Sequence, residues 1–124
     1  MTEQAQFIVS HRDGVGIVEV SGDVDITNIT SFQNAVRQAA GEGSPGIVLS
    51  LRKVGYIDSR MIHELFTLSK RTTQSRRLLS VVFPDSASAR YILEAAGVPK
   101  MLTIHASIDA GVDFVKTSGQ NTAQ

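Results

Sequence analysis

Cysteine is absent from this chain of 124 residues. That removes disulfides, iron–sulfur clusters, thiolate zinc sites and cysteine nucleophiles together, and it fits a reducing compartment. Long apolar runs are missing as well: no window approaches the roughly 18 apolar residues of a membrane span. The opening MTEQAQ is polar, so neither a signal peptide nor membrane insertion is expected, and the expected location is cytoplasmic. Charge of one sign is not in excess: Lys plus Arg number 12, Asp plus Glu number 12, and a general affinity for nucleic acid is not expected. The three histidines, His11, His63 and His105, do not stand at metal-ligand spacing from one another, so no metal site and no cofactor are expected. There is no G-x-S-x-G elbow, no Walker lysine and no dinucleotide fingerprint. On these absences the chain is not read as an enzyme.

What is present is a regular alternation of patterns. The length suits one domain, which buries about two-thirds of its unfolded surface. FIVSH (7–11) and VGIVEVS (15–21) read as strands joined by an Asp13-Gly14 turn, an antiparallel hairpin that Gly22 then ends. Ile29, Phe32, Val36 and Ala39 fall on one face of a helix over 28–40, with Asn28 or a Thr30/Gln33 capping box at its start. GEGSPG (41–46) is glycine-rich, but it follows a helix and leads into a strand; a phosphate loop requires the reverse order, so it is read as a connector. GIVLSL (46–51) and LLSVVF (78–83) are continuous apolar runs, the mark of parallel strands covered on both faces. A helix is expected from Asp58-Ser59 to about Thr73, with Ile62, Leu65, Phe66 and Ser69 inward and Met61 and Leu68 widening that face. ASARYILEAAG reads as a helix closed by Gly97, MLTIH (101–105) as a last strand, and Ser107 as the cap of a final helix. The predicted order is ββαβαβαβα. This is an α/β fold with a mixed, mostly parallel sheet of about five strands, one of them an antiparallel edge, and about four helices. The domain is expected over 7–117, with 118–124 a polar, disordered tail.

Two features invite a functional reading. Residues 52–77 hold seven cations (Arg52, Lys53, Arg60, Lys70, Arg71, Arg76, Arg77) against Asp58 and Glu64, a local charge of +5. Such a flank attracts an acidic partner, or else is a solvated helix end, where Lys70 and Arg71 complement the dipole. The second feature is the Asp58-Ser59-Arg60 turn. A serine at a helix start caps a free backbone N–H, which stabilises the helix by about 1 kcal/mol. The same place suits a phosphate, because the unpaired N–H groups and the positive end of the dipole face it. A modified Ser59 would then carry nearly two added negative charges, and a partner reading that surface would be repelled without backbone movement.

Three segments together resemble the STAS domain family, whose best-known members are bacterial anti-sigma-factor antagonists. GDVDITNITSF looks like the family's G-x-x-D motif leading into the first helix, with Asp25 as its acid. VLSLRKVGYIDSRMIHEL resembles its strand, loop and Asp-Ser-Ser-Gly helix start, and YILEAAGVPKMLTIHASIDAGV its C-terminal helix, turn, strand and last helix. The resemblance covers about residues 7–117. It implies a protein that binds an anti-sigma factor which is also a serine kinase, with phosphorylation of Ser59 blocking binding and a phosphatase resetting the switch. Asp25, Asp58, Ser59, Arg60 and Met61 are the partner-binding positions that follow.

The chain departs from the family pattern at three places. Arg60 and Met61 replace the second Ser and the Gly, and Ser50 replaces a strand-end Asp. Arg60 puts a cation in the first helical turn, where the dipole disfavours it by about 0.3–1 kcal/mol. It is free to pair with a phosphate on Ser59, with an acidic partner or with Asp58. Met61 either obstructs a kinase built for Gly or supplies an apolar anchor. Two other readings stand beside the antagonist: a STAS-like scaffold or accessory subunit, for example of a membrane-transport complex, with Ser59 only a cap; and a small nucleotide-binding domain, since sheet-end crevices in such folds hold ligands.

Overall fold

The Asp13-Gly14 pair makes the turn its sequence suggests: both residues have positive φ, 54° and 81°, the conformation of a two-residue type I′ hairpin turn. It joins β1 (Gln6–Arg12) to β2 (Val15–Val24) in antiparallel register. The computed structural model describes residues 4–122, with side chains described to residue 118. After β2 come a 3-10 turn (Ile26–Asn28), α1 (Ile29–Ala39), β3 (Gly46–Ile57), α2 (Ser59–Gln74), β4 (Leu78–Val82), α3 (Ala87–Ala95), the short α4 (Val98–Met101), β5 (Thr103–His105) and α5 (Ile108–Thr122). The five strands lie side by side in chain order. β2 through β5 are parallel, and β1 is the antiparallel edge, as the pattern predicts.

The sheet separates two cores by strand alternation. Val18 and Val20 of β2, Ile47 and Leu49 of β3, and Leu79 and Val81 of β4 face the layer of α1, α2, α3 and α4, where Phe32, Leu65 and Leu93 are buried. Ile17, Val48 and Val82 face the other way, against Val112 and Val115 of α5. Each central strand is thus apolar on both faces, which is why GIVLSL shows no alternation.

Four details differ from the sequence-based expectation. RKVGYI, which lies outside the strand expected at 46–51, is strand as well: β3 runs on to Ile57 and pairs with a β2 that itself continues to Val24. Gly22 does not end β2. It sits between two register shifts, at φ +85°, and lets the strand kink and continue. Residues 98–101, expected partly as turn and partly as strand, form α4 behind Gly97, whose φ of +82° does close α3. This gives five α-helices among the described residues where about four were expected. Lastly, α5 continues to Thr122, past the expected boundary at 117; residues 123–124 lie outside the described residues.

Gly22 also has a steric reason to be glycine. A Cβ there would lie 2.5 Å from the carbonyl oxygen of Gln4. Gly22→Ala therefore combines a left-handed backbone with a clash, and it is expected to cost about 1–3 kcal/mol of stability in urea unfolding. A change below about 0.5 kcal/mol, the scale of an ordinary surface substitution, would contradict this.

Candidate functional site

The long β2 and β3 deliver two helix starts to one end of the sheet. β2 ends at Val24 and β3 at Ile57, which are paired residues, so the turns that follow them are neighbours. Asp58 joins them. Its backbone N–H donates to Val24 O at 3.2 Å. Its Oδ1 accepts from the Met61 N–H at 3.0 Å and caps α2; its Oδ2 accepts from the Ile26 N–H at 3.2 Å. One carboxylate thereby satisfies a donor at each of two helical N-termini, where negative charge is favoured by the dipoles.

Asp25 does the corresponding work one turn away. Its Oδ1 accepts from the Thr27 N–H at 2.9 Å and from the Thr27 hydroxyl. Asn28 Oδ1 accepts from the Asp25 N–H at 3.0 Å, which completes a capping box. The box expected at Thr30 and Gln33 is not formed: Gln33 instead donates to Glu64 of α2 at 3.2 Å. Nor does the Asn28 side chain cap α1.

Ser59 is the first residue of α2, exposed at the surface. The cap it was expected to supply comes from Asp58. An extended Asp58 at the cap position leaves Ser59 already helical and exposed. Among the described residues neither the Ser59 hydroxyl nor the N–H groups of Ser59 and Arg60 have a hydrogen-bond partner. Arg60 is exposed too, and no ion pair joins it to Asp58 or to any other described carboxylate. Asp25, Asp58, Ser59 and Arg60 therefore share one polar surface.

Met61 does not belong to it. Its side chain is only 2% exposed and lies in the larger core cluster with Leu65 and Leu68, on the same helical face. Neither expected role for its side chain, obstruction or anchor, operates at the surface. Two exposed apolar residues that sequence reasoning passed over stand at this end instead: Ile26, 58% exposed, and Tyr56, 47% exposed. Strand alternation offers a signal for Tyr56, since Ile57 beside it is buried. Ile26 gives none until the 3-10 turn is known.

A hydroxyl–imidazole pair forms away from this surface. Ser80 Oγ and His105 Nδ1 are 2.7 Å apart, with Ser80 fully buried under α5. Among the described residues no group of three His, Asp or Glu is arranged to hold a metal, and no helix is long and apolar enough to cross a membrane.

A STAS domain family model matches residues 6–111, most of the chain. The chain belongs to the STAS domain family. Solved structures agree in fold. An anti-sigma factor antagonist from Mycobacterium paratuberculosis is similar with TM-score 0.79 and 20% identity, over 91% of this chain and 95% of that one. The anti-sigma factor antagonist SpoIIAA in its unphosphorylated form is similar with TM-score 0.70 and 13% identity, over 90% and 97%. A sulfate transporter family protein from Wolinella succinogenes is similar with TM-score 0.69 and 20% identity, over 86% and 88%. At these identities what is shared is the fold. Comparison with curated protein sequences gives no match.

The division of labour within this STAS domain has a measurable consequence. Asp58→Ala removes a cap and leaves the Ile26 N–H without its acceptor, and is expected to cost about 1–2 kcal/mol in denaturant unfolding. Ser59→Ala is expected to stay within about 0.5 kcal/mol of the unchanged protein. Equal losses for the two would mean that Ser59 carries the cap after all.

Proposed function

We propose that this chain is a regulatory protein-binding module, an anti-sigma-factor antagonist that switches partners according to the charge on Ser59. The observation that carries this reading is the separation at the start of α2. Asp58 holds the turn, and the exposed Ser59 hydroxyl holds nothing. A phosphoryl group can be added there without breaking a native hydrogen bond. The free N–H groups of Ser59 and Arg60 and the dipole of α2 favour it electrostatically.

In this reading the unmodified surface of Asp25, Asp58, Ser59 and Arg60, flanked by Ile26, is gripped by an anti-sigma factor with serine kinase activity. Apolar Ile26 supplies contact area, and the charged residues fix register. The kinase transfers phosphate to Ser59 and the complex dissociates by like-charge repulsion. A phosphatase restores the hydroxyl. The exposed cation of Arg60 gives this chain a surface that the usual Ser would not, and so selects an acidic patch on its partner. The protein acts in the cytoplasm, neither binding nucleic acid directly nor inserting into a membrane, and catalyses no reaction itself.

A second reading has one observation in its favour, the likeness to the sulfate transporter family protein. In that reading this chain is an accessory part of a larger assembly and Ser59 is only surface.

The two readings part under a direct test. The chain is incubated with its serine-kinase partner and ATP, and phosphate is mapped by mass spectrometry; the antagonist reading expects it on Ser59. Titration calorimetry is then expected to show Ser59→Ala binding as the unchanged chain does and Ser59→Asp losing roughly 100-fold or more in affinity. If both variants bind alike, Ser59 is no switch and the accessory reading stands.

A further inference from the structure

The cations of residues 52–77 are not one patch in the fold. Arg52 and Lys53 lie on β3, and Arg52 is paired with Asp85 at 3.1 Å. Lys70, Arg71, Arg76 and Arg77 lie at the far end of α2, where α1 brings Arg37 to meet them. Arg71 is twelve residues along α2 from Ser59, about 18 Å by helical rise.

Between α1 and α2 at that end is a groove of about 200 Å³. Its floor is apolar: Val36 of α1, Ala40 just past that helix and Leu68 of α2, over the buried Phe32 and Ile47. Its rim carries Arg37, Arg71 and Arg77 against a single acid, Glu64. Glu64 accepts from Gln33 at the upper end, where the two helices are stitched together. None of the three arginines is paired with a carboxylate among the described residues. Arg37 donates to Asn34 at 3.1 Å and Arg77 to the carbonyl of Ala40 at 2.7 Å, while Arg71 has no side-chain partner there. Positive charge thus borders the trough in excess, three arginines against one carboxylate that is held by Gln33.

A second observation concerns Arg76, which stands just past α2 with φ of +58°. The bonds from Arg77 N to Thr72 O (2.8 Å) and from Arg76 N to Thr73 O (3.0 Å) are those of a Schellman motif, whose left-handed residue is ordinarily glycine. An arginine there is placed against the preference of the backbone, and it adds an exposed cation next to the rim.

We infer that this groove is a docking site for an acidic amphipathic helix of a partner protein, distinct from the Ser59 surface. Charge complementarity selects the occupant. Carboxylates flanking the partner helix meet Arg37, Arg71 and Arg76, while its apolar side chains at i, i+4 and i+7 lie on Val36, Ala40 and the edge of Leu68, above the buried Phe32, the helix-in-groove mode. A flat anionic membrane would meet the rim and leave the floor empty, and it would have to attract a chain of zero net charge. The distance from Ser59 allows both surfaces to be occupied at once, and the proposal does not depend on the antagonist reading.

The test uses the full chain and a displayed library of amphipathic helices. The library is apolar at i, i+4 and i+7, with Glu, Lys and Ser varied at the flanks. Selection is expected to enrich Glu, and amide shifts from the selected peptide are expected to map to residues 32–40 and 64–77. Arg71→Glu is expected to weaken binding roughly tenfold or more. Arg76→Gly separates folding from binding: its Tm is expected to rise by a few degrees while affinity falls several-fold. Ser59→Asp is expected to change neither. Enrichment of Lys, no enrichment at all, shifts centred elsewhere, or full affinity in Arg71→Glu would each overturn the proposal. So would binding to phosphatidylglycerol vesicles without binding to the peptide, which would mark a membrane-facing patch.

Discussion

A single carboxylate holds this molecule's working end together. Asp58 reaches back to the end of β2 through its backbone N–H, and its carboxylate reaches sideways to the 3-10 turn and forward into α2, so segments 24–26 and 58–61, far apart in sequence, meet around one residue. Each of its bonds satisfies a backbone group that strand or helix geometry leaves open, and a charged acceptor makes such bonds stronger than neutral ones. The geometry depends in turn on β2 and β3 running on together beyond the β3–β4 pairing, which stops at Ser50 and Val82. The kink at Gly22 makes that overrun possible.

With Asp58 occupied in this way, the serine beside it is released from structural duty. A residue that caps a helix cannot easily be modified without loosening the helix; one that follows a cap can. Stability thus rests on Asp58, and the proposed switch on the residue next to it. Asp25 repeats the arrangement, holding the 3-10 turn while leaving Ile26 exposed beside Ser59. α2 then extends away from this end, carrying a second cluster of charge at its other terminus. One rigid helix therefore links two surfaces of different character.

Much of this was legible in the chain, and the parts that were not have definite causes. Strand and helix order followed from apolar periodicity, and the Asp13-Gly14 turn and the Gly97 helix stop followed from backbone preferences that few residues satisfy. The strand expected at 46–51 stops short of RKVGYI because an overrunning strand end, with Arg52, Lys53, Gly55 and Tyr56 exposed, carries the polar composition of a loop. The cap was misassigned because Asp and Ser are comparable caps, and only the dihedral angles decide which of two adjacent candidates is already helical. For Met61 two signals conflict: helical periodicity favours the buried face, where the side chain lies, while a motif carries position in the turn and not side-chain direction. The groove between α1 and α2 could not be seen in sequence at all. Arg37 lies far from Arg71 along the chain, and only the packing of two helices on one sheet brings them together.

The most direct measurement of the central claim is a comparison of amide spectra of the chain with and without phosphoserine at position 59. If Asp58 alone holds the turn, shifts are expected only in the turns around 24–28 and 56–62, with the remainder of the spectrum superimposable and thermal stability preserved. Shifts spread across α2 and the sheet, or a clear fall in stability on phosphorylation, would mean that the hydroxyl supports the fold, and the separation of structure from signal would be contradicted.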